Sequence, residues 1–118
     1  LTFINAKDSL EWEPGAALPD DRMETLEAFH NHGIRTWVSL EPTIDPVQSL
    51  QLIRATYKFV DLYKIGKLNY HPLSKIIDWK KYTEEAVRLV MSCGRDYIVK
   101  DDLAPFIPAG LPQISKQI

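Results

Sequence analysis

The chain has 118 residues, 45% of them hydrophobic, with 14 Lys and Arg against 16 Asp and Glu for a net charge of −2. That length is one domain, able to take about 65% of its unfolded surface out of water, so wholesale disorder is excluded. A near-neutral, slightly acidic balance also excludes a large electrostatic footprint for nucleic acid.

Residues 1–5 form a short apolar run, Leu1-Thr2-Phe3-Ile4, ending on the amide Asn5, and read as a strand. Opening directly inside a core strand points to a piece of a larger protein. Residues 10–15, with Pro14 and Gly15, read as a loop. A helix follows from Pro19-Asp20-Asp21, with Asp21 and Glu24 at capping-box spacing and Met23, Leu26 and Phe29 as its buried stripe. Gly33 is the natural residue to end it.

Residues 35–41 are the next strand, stopped by Pro42. Alternation puts Arg35, Trp37, Ser39 and Glu41 on one face and Thr36, Val38 and Leu40 on the other. Asp45-Pro46 then starts a helix as N-cap and N1, with Gln48 at capping-box spacing and Val47, Leu50, Ile53 and Tyr57 as its apolar stripe. Residues 59–65 are a third strand, broken at Gly66; Val60 and Leu62 are expected to face helices, with Asp61 and Tyr63 opposite. Lys64 is expected to snorkel on the helix side, although a slip at Gly66 would exchange it with Lys67. Asp78 caps a third helix with Trp79, Tyr82, Ala86, Leu89, Val90 and Cys93 as core, and Gly94 ends it. Residues 97–100 are a fourth strand. From Ala104 the four residues Pro105, Pro108, Gly110 and Pro112 predict an irregular surface tail over 104–118.

Strand and helix alternate throughout, which predicts an α/β fold of parallel strands with right-handed crossovers. In such folds chemistry gathers where strands exit, which makes Ser39 and Glu41 the first candidates. The lone Cys93 excludes an internal disulfide and a cysteine metal cage, and fits a reduced, cytoplasmic setting. No apolar run reaches the ~20 residues that span a bilayer. His30 and His32, two apart on a helix, do not share a face for a metal.

Several pieces in order carry a resemblance: Glu13-Pro14-Gly15-Ala16, Arg22 near a helix start, Gly33-Ile34, Trp37-Val38-Ser39-Leu40-Glu41-Pro42, Lys64-Ile65-Gly66-Lys67-Leu68-Asn69, and Tyr97-Ile98-Val99-Lys100. Together, over 1–103, they resemble the C-terminal half of radical S-adenosylmethionine (radical SAM) proteins similar to spore photoproduct lyase and DNA repair photolyase-like proteins. The resemblance implies the C-terminal portion of a partial (β/α)6 TIM-like barrel. It also implies a lyase-like parent enzyme that cleaves S-adenosylmethionine reductively at a [4Fe–4S] cluster to a 5′-deoxyadenosyl radical. The family's Cx3Cx2C loop is absent, so the cluster would be bound by residues outside this chain, which alone would be inactive.

By position in the family, Asn5 and Ser39 would hydrogen-bond ribose or amino acid, and Arg22 would grip the methionine carboxylate. Glu41 would accept from an ammonium or hydroxyl, and Gly66 would let backbone approach adenine, with Lys67 and Asn69 beside it. The expected partner is the missing N-terminal half of the barrel, or another chain pairing with exposed strand edges. A nucleic-acid substrate follows from the family's label alone, and no membrane is expected. Two other readings stay open. One is a (β/α)-barrel glycoside hydrolase using Glu41, which needs a second carboxylate ~5–5.5 Å away, with Asp61 the strand candidate. The other is a non-catalytic α/β interaction module.

Overall fold

A computed structural model describes residues 1–115. Three parallel strands, β1 (Trp37–Ser39), β2 (Leu62–Ile65) and β3 (Asp96–Val99), lie in that order in one sheet. The helices are α1 (Ala6–Trp12), α2 (Pro19–Asn31), α3 (Pro46–Thr56) and α4 (Trp79–Ser92), joined by 3-10 turns over Pro72–Lys75 and Asp101–Phe106. The expected α/β alternation is thus present from β1 onward, as an open sheet without barrel closure. Among the described residues no helix is long and apolar enough to cross a membrane.

The helix punctuation follows the sequence closely. Asp45 and Asp78 cap α3 and α4 through hydrogen bonds from the Val47 and Lys81 amides. At the other ends, Gly33 and Gly94 take φ of 77° and 72°. Ile34 N–H then reaches back to Phe29 C=O and Arg95 N–H to Val90 C=O, the longer bond of a Schellman turn in each case.

The expected strand over residues 1–5 does not form. The Leu1 nitrogen donates to Ser39 C=O, but the Ile4 and Asn5 amides turn to the Gln48 side chain, and Asn5 caps α1 through Lys7 N–H and Asp8 N–H. The supposed loop after it is therefore partly α1, a helix of 7 residues too short to show an apolar period. Gln48, buried, is the hub: it accepts from those two amides and donates to Asp8 and Asp45. It reaches the Asp45 carboxylate rather than closing a backbone capping box.

The core takes its sheet residues from one face: Val38 and Leu40, Tyr63 and Ile65, Tyr97 and Val99. Against them pack Leu52 and Ile53 of α3 and Tyr82, Ala86, Val87 and Val90 of α4. The α3 stripe is rotated, and the α2 stripe holds for Met23 and Leu26, which pack against the core, but not for Phe29. On α3 the buried positions are Gln48, Ser49, Leu52, Ile53 and Thr56, with Val47 exposed. On α2 Phe29 is half exposed.

In β2 the faces are the reverse of expectation. Tyr63 points to the helices, where its hydroxyl and that of Thr56 lie 2.6 Å apart, and Lys64 points to the open face. The cause is register: Val38, Tyr63 and Tyr97 are partners across the sheet, as are Ser39, Lys64 and Ile98, and partners share a face. A tyrosine can be buried there because its hydroxyl finds Thr56.

Burial pushes the phenols of Tyr63 and Tyr82 well above the ordinary value of 10.0, partly opposed by hydrogen bonds from Thr56 and Thr43. Unfolded, both release their protons near that value; folded, they hold them. The unfolded state therefore binds fewer protons above it, so stability falls as pH rises through about 10. Denaturant midpoints measured on either side should show this fall, and Tyr63→Phe should reduce it.

Beyond Val99 the expected irregular tail is ordered against the sheet. A 3-10 turn covers Asp101–Phe106; Leu103 N–H donates to Lys100 C=O and Ile107 N–H to Ala104 C=O, and neither bond uses the amide that Pro105 lacks. Farther on, Val99 N–H donates to Gln113 C=O and Ser115 N–H to Tyr97 C=O, so the tail lines the outer edge of β3. Residues 116–118 of that expected tail lie outside the described residues.

Candidate functional site

Parallel strands bring their C-terminal ends to one edge, and three short segments meet there: 40–42 after β1, 66–69 after β2, and 100–102 after β3. The ladder continues past the strands, with Leu40 N–H on Lys64 C=O, Lys100 N–H on Ile65 C=O, and a bridge between Thr43 and Lys67. This continuation places Glu41, Gly66 and Lys100 side by side on three adjacent strands. The buried Thr43 hydroxyl holds the loop after β1 by donating to Leu40 C=O and lying 3.0 Å from the Tyr82 hydroxyl.

Glu41 and Lys100 are two strands apart, about 10 Å at the backbone. Their side chains still meet, Oε2 to Nζ at 3.8 Å, because the strand between them carries a glycine. A Cβ on Gly66 would lie 2.8 Å from Cβ, Cγ and Cδ of Glu41. Gly66 was expected to admit adenine; the space above it holds the Glu41 side chain instead. Both charges are well exposed, so the pair itself contributes little to stability.

A cleft of about 550 Å³ opens beside this edge, between the loop after β1 and the first two helices. Arg22, Ser39 and Glu41 line it together, with apolar walls from Trp12, Ile44 and Leu68. The Arg22 guanidinium pairs with Glu13 at 3.0 Å, each about a third exposed. The Ser39 hydroxyl accepts weakly from Glu41 N–H at 3.3 Å. Three of the seven residues expected at a site are thus brought to one wall, and Gly66 lies under the fourth side of Glu41.

The other three are employed elsewhere. The Asn5 side chain is spent as the cap of α1. Lys67 Nζ lies 5.8 Å from the Trp79 ring, and Asn69 donates to Asp102 at the exit of β3. Glu41 and Asp61, the carboxylates of the glycosidase reading, sit at opposite ends of the sheet. Asp61 accepts from Thr36 N–H ahead of β1, at the amino edge. They do not form a catalytic pair with each other.

Sequence reading missed Lys100 and Asp102, although both follow β3 at the level where Glu41 follows β1. The signal that could have found them is the register of the last strand, which places Val99 beside Ile65. It also missed the Trp12–His71 edge contact, with centroids 5.4 Å apart, which joins α1 to the loop after β2. Compared with protein-family models, curated proteins and solved structures, the chain matches none.

Proposed function

We propose that this chain forms one wall of an S-adenosylmethionine pocket in a radical SAM enzyme, as the second part of a partial (β/α)6 barrel. The observation that carries the reading is the meeting of Arg22, Ser39 and Glu41 on one cleft at the carboxyl edge of a parallel sheet. That edge is where ligands bind in folds of this kind.

The residues fit the cofactor's parts. A guanidinium and a carboxylate on one wall suit the two ends of a zwitterionic amino acid, with Arg22 exchanging Glu13 for the ligand carboxylate and Glu41 exchanging Lys100 for its ammonium. Ser39 adds a hydroxyl, and Trp12 with Leu68 offers apolar surface to a flat ring. The volume lies within the range of about 300–1,000 Å³ typical of small-molecule sites. A [4Fe–4S] cluster does not fit these residues: it takes several thiolates, and the lone Cys93 is the C-cap of α4. S-adenosylmethionine bound beside a reducing cluster supplies the radical chemistry; this chain binds, orients and shields it.

The test is titration of S-adenosylmethionine into the chain, followed by NMR at the Ser39 and Glu41 amides. Glu41→Ala and Arg22→Ala should each weaken binding by about tenfold, the loss of one charge-assisted contact. Unchanged affinity in both variants would remove these residues from the pocket.

A further inference from the structure

We infer that the open face of the sheet is a substrate-binding surface, on which Lys64 receives an anionic oxygen group, a phosphate or a carboxylate. The inference rests on the cofactor reading above for its link to a reaction, but on different atoms. Lys64 occupies the middle strand, level with Ser39 on one side and Ile98 on the other. None of these three belongs to the core that packs against α3 and α4.

Among the described residues, the cations that share its face of the sheet or the neighbouring cleft are paired, and Lys64 is not. Arg35 pairs with Asp96, Arg22 with Glu13 and Lys100 with Glu41. Among the described residues Lys64 makes no ion pair. Its ammonium lies instead over the Trp37 ring, 3.9 Å from the centroid. A cation–π contact attracts the charge but fills none of the ammonium's conventional hydrogen bonds, so the donors remain for an oxygen acceptor.

Trp37 is 53% exposed, so the pair is reached from solvent on the side away from α3 and α4, where Trp37 borders a cavity shared with α2. The diagonal arrangement matters too. Glu41 is engaged across Gly66 by Lys100, which keeps that carboxylate off Lys64. The nearest acidic group on the face at the other end, Asp96, is held by Arg35 at 3.6 Å. An ammonium held half-buried by an aromatic ring, with the carboxylates of Glu41 and Asp96 already paired, is ready for an anion. A substrate seated there would lie beside the cleft of Arg22, Ser39 and Glu41, since Ser39 lies level with Lys64 in the sheet.

The experiment is NMR of the chain at constant ionic strength with inorganic phosphate in one arm and acetate in the other, read at the Trp37 indole. Saturable movement of that signal is expected, and the tighter arm names phosphate or carboxylate as the group. Lys64→Gln should weaken the effect by at least about tenfold, and Lys64→Arg should retain it. Lys80→Gln, which removes a lysine of α4, should leave it unchanged. Should Lys64→Gln not fold, Lys64→Met keeps the unbranched stem and carries the same comparison. No saturation in either arm, or unchanged affinity in a folded Lys64 variant, overturns the inference. Anion binding lost while S-adenosylmethionine still binds defeats this inference alone; the reverse result defeats the cofactor reading alone.

Discussion

Ending the chain after Phe106 should destabilise it by about 3–6 kcal/mol and make it self-associate. The estimate follows from the bonds removed, each contributing about 0.5–1.5 kcal/mol net. They include Val99 N–H to Gln113 C=O, Ser115 N–H to Tyr97 C=O, Tyr97 N–H to the Ser115 hydroxyl, and the Tyr97 hydroxyl to Pro112 C=O. Ile107 and Leu111, which pack on the core, would go as well. Against a total of about 5–15 kcal/mol for a domain, that loss leaves little. The shortened chain would also present β3 as a bare edge, and a bare edge pairs with another copy. Chemical denaturation and sedimentation at several concentrations check the two halves of the expectation. An unchanged midpoint with a monomeric species would show that the tail is not part of the folded unit.

Gly66→Val should cost about 1–3 kcal/mol and also abolish the Glu41–Lys100 pair. The first branch atom alone would stand 2.8 Å from three carbons of Glu41, including Cβ, which cannot swing aside without its backbone. The side chain must then leave the strand ends, and its carboxylate leaves the wall of the cleft. Binding of S-adenosylmethionine should weaken at least as much as in Glu41→Ala, whereas Lys100→Gln should leave the stability nearly unchanged, since an exposed pair contributes little. The comparison separates crowding from charge. Wild-type stability in Gly66→Val would mean that the Glu41 side chain does not lie across the glycine.

These two expectations come from different levels of description. Tail pairing depends on contacts between residues 14 to 18 apart that no local pattern announces. The crossing at Gly66 depends on three strands in register, although two of its residues, Glu41 and Gly66, were conspicuous in the linear chain. Glu41 drew notice as a carboxylate at a strand exit, and Gly66 as a break in a strand. That the second exists to let the first reach Lys100 is a tertiary fact.

Local chemistry was enough for the helix ends, because a cap is decided by a few neighbouring residues. Asp45, Asp78, Gly33 and Gly94 each act where they were read. It was enough also for the alternation in β1, where Val38 and Leu40 are buried and Trp37 and Glu41 are not. It failed for residues 1–5, where an apolar run was denied a ladder by the Gln48 side chain taking two of its amides. It failed for β2, where a tyrosine, not a lysine, belongs in the core because Thr56 of α3 supplies the partner for its hydroxyl.

By itself the sequence determined the α/β class and the position of each helix from α2 onward. Those follow from backbone preferences and period, which are properties of short stretches. Only the tertiary structure decided which residues share a face, that Arg22, Ser39 and Glu41 share a cleft while Asn5 and Asn69 serve other ends, and that Lys64 stands on the open side over Trp37. Register between strands decides which residues share a face and where Lys64 stands, and register is set by pairing across the sheet rather than along the chain. The cleft depends on how α1 and α2 pack beside it.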